Sequence, residues 1–118
     1  METLRLRKIQ LPSRLDQLLD SFVCHSDLVP EGAFRTRDVR ALPRELRALA
    51  SRATQRGQTW GCWEKGLDTW VILCEMSLAL SRERGAPVLQ IDVHGEEGLK
   101  DSGLWTSDRN GTWSRCSY

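Results

Sequence analysis

Arginine is concentrated in one short segment of the chain. Between Arg35 and Arg56 the sequence holds seven arginines and only two acidic residues. Guanidinium groups bind phosphates, often through two parallel hydrogen bonds, and in the major groove they also contact guanine edges. This concentration of arginine therefore indicates binding to nucleic acid. The candidate binding residues are Arg40, Arg44, Arg47, Arg52 and Arg56, together with Lys65 at the tip of the hairpin that follows.

Two short helices and a β-hairpin are predicted to position these side chains. The first helix starts at Thr36 or Asp38, and the second begins at Pro43 and is stopped by Gly57. A hairpin with a loop at Gly66-Leu67 follows. This is the order of a winged helix-turn-helix, in which a recognition helix enters the major groove. The net charge of +1 and the long apolar strands of the hairpin count against a simple wing. A solvated helix face that binds nothing is the alternative.

The hairpin is apolar on both faces. Its register places Trp63 opposite Trp70, on a face that reads as plain core. The other face carries Trp60, Val71 and Leu73, which a sheet with one solvated side would not expose. We therefore expect these three residues to be covered, either by the chain's own helices or by a partner. A partner would make them a protein-interaction surface. An adaptor module or homodimer that uses the sheet face or a sheet edge is therefore the alternative function.

Another polar pattern lies on the predicted sheet. Asp92 and His94 alternate along one strand and share a face with Glu75 on its neighbour, a set that could hold a divalent ion or transfer a proton. Alternation on any half-exposed sheet produces the same pattern. Cys24 and His25 are adjacent and do not face each other on a helix. No nucleotide or nucleophile motif is present. We expect a non-enzymatic binding protein without catalytic residues, metal or cofactor, and keep a small enzyme or metal-binding protein as a third hypothesis.

The 118 residues are predicted to form one domain with two different halves. Residues 1–57 are helical and basic, and residues 58–118 are antiparallel β-structure. Up to residue 58 the chain holds 11 Lys and Arg against 7 Asp and Glu, and after it 6 against 9. We predict an α+β fold in which N-terminal helices pack on a twisted antiparallel sheet of about four to five strands.

Further elements follow from periodicity and turn residues. They are a strand over 3–11, a helix over 14–24, a loop over 25–32, a surface connection over 81–87, a strand over 88–94, a polar loop over 95–103 and a hairpin over 104–116. A three-residue loop in the last hairpin would put Trp105 and Trp113 on the same face. We favour this loop because two large aromatic side chains are stabilised more by sharing one core than by lying on opposite faces.

The composition indicates a soluble, cytoplasmic protein without a membrane partner. No apolar run approaches the roughly 20 residues that span a bilayer. The basic N-terminus is not followed by the apolar segment of a secretory signal. The four cysteines form no regular framework and are predicted to be buried free thiols.

Overall fold

The computed structural model describes residues 17–19, 22, 29, 34–110 and 112–116, without the side chains of Phe34 and Lys65. The described residues form one antiparallel sheet whose six strands follow each other in chain order. The strands are β1 (Phe34–Thr36), β2 (Thr59–Lys65), β3 (Asp68–Met76), β4 (Val88–Gly95), β5 (Gly98–Ser107) and β6 (Trp113–Arg115). The helices between them are α1 (Arg44–Gln55), α2 (Leu78–Arg84) and the 3-10 helix Val39–Ala41. The mixed α and β class and the antiparallel sheet are confirmed, and the sheet has six strands instead of four to five.

The first third of the chain is described only in part. Residues 17–19 and Phe22 are helical, inside the helix predicted over 14–24. The strand predicted over 3–11, and all of the loop predicted over 25–32 except Val29, lie outside the described residues. The helix predicted to start at Thr36 or Asp38 is reduced to the 3-10 helix Val39–Ala41, which Asp38 caps. Thr36 belongs to β1 instead, because the backbone of β1 pairs with β2.

Helix α1 has the boundaries that its sequence predicts. Pro43, predicted as the first helical residue, is instead the N-cap, so α1 begins one residue later, at Arg44. Gly57 adopts a φ of +73° just past the C-cap Arg56. The amides of Gly57 and Gln58 donate to the carbonyls of Thr54 and Ala53 at 3.1 and 2.9 Å. This is a Schellman motif, which requires the left-handed conformation that glycine adopts without steric cost.

The central hairpin β2–β3 has the predicted register. Trp63 pairs with Trp70, and Gly61 pairs with Ile72. The neighbouring strands β1 and β4 pair with its outer edges, so the hairpin forms the middle of the sheet. A strand in this position has both faces available for packing, which explains why its side chains are apolar on both sides.

Alternate residues of the hairpin belong to two separate hydrophobic clusters. On one face Trp63, Ile72 and Cys74 pack with residues from β4 and from the N-terminal part of the chain; the latter are Leu18, Leu19, Phe22 and Val29. On the other face Trp60, Cys62, Val71 and Leu73 pack with the buried side of α1. The hairpin therefore takes part in two cores.

Two segments predicted as irregular have regular structure. The first is α2, which is capped by the Ser77 hydroxyl and ends at Gly85 with a φ of +71°. The Ser81 hydroxyl accepts from the Val88 amide at 2.8 Å and so ties α2 to the start of β4. The second is the polar segment 95–103, most of which is the first part of β5. Leu78 is the first residue of α2 and is 53% exposed.

The last hairpin has the predicted facial arrangement. Trp105 pairs with Arg115, and Ser107 pairs with Trp113, so both tryptophans lie on one face of the sheet. Both pack against the cluster that contains Phe22, whose ring meets the Trp105 ring edge-on at 5.4 Å between centroids.

Gly61 leaves room for the indole of Trp63. A Cβ at position 61 would lie 2.6 Å from Cη2 of that ring, which is only 2% exposed and cannot move away. We expect Gly61→Ala to lower the free energy of unfolding by about 1–3 kcal/mol through overpacking. Urea unfolding followed by tryptophan fluorescence measures this loss.

Gly103→Ala is the matched control. Its Cβ would meet the guanidinium of Arg115 at 2.7 Å, but that side chain is 50% exposed and can swing aside. An equal loss of stability in the two variants would contradict the packing of Trp63 over Gly61.

The buried thiols should be unreactive in the folded protein. Burial raises the pKa of both Cys62 and Cys74 to about 12, so neither is a thiolate at neutral pH. Because the folded pKa lies above the ordinary value of 9.0, these groups also reduce stability as the pH rises above about 9, where the unfolded chain ionises first.

Labelling with a thiol reagent at pH 8, with the modified sites located by mass spectrometry, checks this. We expect Cys116 to react in the native state, and Cys62 and Cys74 to react only after unfolding. Native labelling of Cys74 at the rate seen in denaturant would contradict its position in the core.

Candidate nucleic-acid interface

Helix α1 is fixed on the sheet by apolar packing and by one hydrogen bond. Leu46, Ala50 and Ala53 are at most 2% exposed and face β2 and β3. The indole Nε1 of Trp60 donates to Oγ1 of Thr54 at 3.0 Å. The Thr54 hydroxyl in turn donates to the carbonyl of Ala50 at 3.0 Å. The outward face of α1 is therefore held in a defined orientation relative to the sheet.

The candidate arginines all lie on the solvent side of this segment. Arg40, Arg44, Arg47, Arg52 and Arg56 are exposed. In the described part of the chain, the side chains of Arg44, Arg52 and Arg56 have neither an ion pair nor a hydrogen bond. Arg47 uses one guanidinium nitrogen, Nη2, to donate to the Leu42 carbonyl at 3.1 Å. We call these five residues the arginine surface.

Arg40 is the member of the arginine surface with a carboxylate partner. Its Nε lies 3.2 Å from Oδ1 of Asp38, and its side chain remains 92% exposed. Asp38 caps the 3-10 helix, and its pKa is lowered by the hydrogen bond from the Arg40 amide and by the guanidinium beside it. An exposed pair of this kind is readily exchanged for another anion.

The acidic side chains of the β half do not neutralise the arginine surface. The carboxylate of Glu75 accepts a hydrogen bond from the side-chain amide of Gln58 at 2.5 Å. Glu97 and Asp101 pair instead with Lys100 and Arg115, at 3.5 and 2.9 Å. The charge difference between the two halves of the sequence is thus kept as a separation of charge in the folded protein.

The β2–β3 hairpin does not form a separate wing. Both of its edges are paired within the sheet, and Lys65 is the last residue of β2, beside the turn. The Lys65 side chain lies outside the described part of the chain. The helices also differ from a helix-turn-helix, since a 3-10 helix of three residues precedes α1.

The three residues proposed as a protein contact surface are covered by the chain itself. Trp60, Val71 and Leu73 are at most 9% exposed and pack against α1. Arg37 adds to this cover, with its guanidinium carbon 5.9 Å from the centroid of the Trp60 ring. The sequence did not identify what covers these three residues. In the structure α1 covers them.

Glu75, Asp92 and His94 lie on one face of the sheet, as their alternation predicts. The carboxylate of Asp92 accepts from the Ser102 hydroxyl at 2.5 Å and from the Gln90 amide at 3.3 Å. Among the described residues, no group of three or more His, Cys, Asp and Glu side chains is arranged to hold a metal ion. The arrangement is that of a polar sheet face whose carboxylates have neutral donors.

A small cavity of about 270 Å³ lies at the end of the sheet where two turns meet. Its lining residues are Leu67, Asp68, Thr69, Trp70, Gly95, Glu96, Glu97 and Lys100. Three of these eight residues carry carboxylates and one, Lys100, is a cation paired with Glu97. The lining is therefore acidic by two charges, while the outer face of α1 is basic.

Comparisons with protein-family models, with curated proteins and with solved structures find no match for this chain. In the described part of the chain, no helix has the length and apolar character needed to cross a membrane. A function is therefore inferred from the geometry and charge of the described residues.

Removing the hydrogen bond between Thr54 and Trp60 tests how α1 is anchored. Nothing in the sequence pattern indicates this bond. We expect Thr54→Val to lower the free energy of unfolding by about 0.5–1.5 kcal/mol, because the indole N–H loses its acceptor in a part-buried hydrogen bond. Denaturant unfolding measures the change. Ser51→Ala, a substitution of an exposed hydroxyl on the same helix, should cost less than about 0.5 kcal/mol. An equal effect of the two substitutions would contradict the anchoring role.

Proposed function

We propose that the protein is a non-enzymatic nucleic-acid-binding protein that contacts phosphates through the arginine surface of α1 and the preceding 3-10 helix. The observation that carries this proposal is that three guanidinium groups are exposed and have no partner among the described residues. Arg44, Arg52 and Arg56 are exposed and unpaired among the described residues, on a helix whose opposite side is locked into the core. Because their helix is already fixed on the sheet, only the side chains have to be ordered when these guanidiniums bind phosphates.

The distribution of charge supports the same proposal. A phosphate backbone is attracted to the arginine surface more than to the turn end, where Asp68, Glu96 and Glu97 outnumber Lys100. Such a separation orients a polyanion toward α1 even though the net charge of the chain is only +1. The local field at the surface, and not the total charge, decides where a polyanion approaches.

A protein-interaction function is the second candidate, and the open edge of β5 favours it. Strand β5 spans ten residues, but β6 pairs only with Trp105, Thr106 and Ser107. The carbonyl of Leu104 is bonded by the Cys116 amide, and that of Ser102 by the Arg115 guanidinium. Beyond this point the edge facing away from β4 has no strand partner among the described residues, and an extended peptide can add to such an edge.

Binding to a mixed-sequence DNA duplex across a salt series tests the first proposal. We expect the wild-type chain to bind at low salt, with an affinity that falls linearly on a log–log plot. Arg44→Gln combined with Arg52→Gln should reduce the affinity on the order of tenfold and the salt slope by about 1.8, since each lost phosphate contact removes about 0.9.

The control carries the same change of charge at another place. Arg82→Gln with Arg109→Gln removes two exposed arginines that lie outside the arginine surface. Equal losses in the two double variants would mean that only net charge matters and would contradict a defined site. Absence of binding by the wild type at low salt would exclude the proposed function altogether.

A further inference from the structure

We infer that the ligand of the arginine surface is a duplex, contacted through the phosphates of both strands, and not a single strand. This inference rests on the proposed function and names the class of nucleic acid. It is carried by two observations: the arginines of α1 form two pairs on opposite flanks of its exposed face, and no described aromatic side chain is exposed beside them.

The first pair is Arg44 with Arg47, and the second is Arg52 with Arg56. Counting about 100° per residue, Arg47 and Arg52 lie about 140° apart around the axis of α1, on either side of its outward direction. The centres of the two pairs are about 13 Å apart along the axis, from a rise of about 1.5 Å per residue. A ligand that engages both pairs must therefore present negative charge at two places, one on each flank of the helix.

A duplex has this arrangement. Its major groove is about 12 Å wide and admits an α-helix, with a row of phosphates on each side. The exposed surface between the two pairs carries the short side chains of Ala48 and Ser51, which do not keep a helix out of a groove. Each arginine pair can then reach the backbone of a different strand.

Among the described residues, a single strand finds no matching platform. Binding of single strands draws much of its energy from bases that stack on exposed aromatic rings. On the side of the sheet that α1 covers, Trp60 is 6% exposed and lies beneath the helix. The half-buried rings of Trp70, Trp105 and Trp113 pack with the cluster on the opposite face. The described surface around the arginines offers charge without stacking.

One carboxylate opposes this arrangement. Glu45 is exposed in the first turn of α1, on the same flank as Arg52. It is stabilised there by the positive end of the helix dipole, but it would lie near phosphates of the strand on that side. Removing its charge should therefore tighten binding.

The experiment measures affinity by fluorescence anisotropy for three ligands of one sequence: the DNA duplex, its single strand, and a hybrid duplex in which one strand has a neutral peptide backbone. We expect the duplex to bind on the order of tenfold more tightly than the single strand. The hybrid should lose about as much affinity as either Arg44→Gln/Arg47→Gln or Arg52→Gln/Arg56→Gln loses on the full duplex, and Glu45→Gln should tighten duplex binding.

The outcomes separate the inference from the proposed function. Equal affinity for the single strand, or for the hybrid and the full duplex, would overturn contact with both strands while leaving nucleic-acid binding in place. A loss confined to one arginine pair would also overturn it. No binding to any of the three ligands would remove the proposed function and the inference together.

Discussion

The apolar character of both faces of the β2–β3 hairpin is the constraint on which the rest of the protein depends. Trp63 and Ile72 need a cover on one side, and Trp60, Val71 and Leu73 need one on the other. Burying apolar surface stabilises a fold by roughly 25 cal/mol per Å². A hairpin of this composition is therefore stable only between two layers. The described N-terminal residues provide one layer, and α1 provides the other.

This constraint also determines what the surface of α1 can do. Because α1 commits Leu46, Ala50 and Ala53 to the core, its remaining positions must face water. Three of those positions carry arginine, and the carboxylate of the helix is Glu45 alone. Asp68, Glu96 and Glu97 are placed instead at the turn end of the sheet, and Glu75 is engaged with Gln58. Core packing and surface charge are thus divided between the two sides of one short helix.

The sequence predicted the centre of the fold well because its signals there are local. The Gly66-Leu67 turn determines the register of β2 and β3, and Gly57 determines where α1 ends. The same periodicity predicted which arginines of α1 face outward. Alternation likewise predicted that Asp92 and His94 share a face with Glu75.

The periphery could not be predicted in the same way, since it depends on pairing with distant residues. The three residues of β1 and the polar first part of β5 are strands because neighbouring backbones pair with them, and their side chains carry no apolar alternation. Helix α2 is short and charged, so no apolar stripe reveals it. The packing of α1 over Trp60 and the hydrogen bond between Gln58 and Glu75 are contacts that residue spacing does not predict.

The central claim is that the outer face of α1 is where the protein meets its ligand. The most direct test is to titrate the isotope-labelled chain with a DNA duplex at low salt and follow backbone amide and arginine Nε–H resonances by NMR. The account predicts that the shifted resonances map to residues 40–56, and that the side chains of Arg44, Arg47, Arg52 and Arg56 shift most. Shifts confined to the open edge of β5 or to the acidic turn end, or no shifts at all, would contradict it.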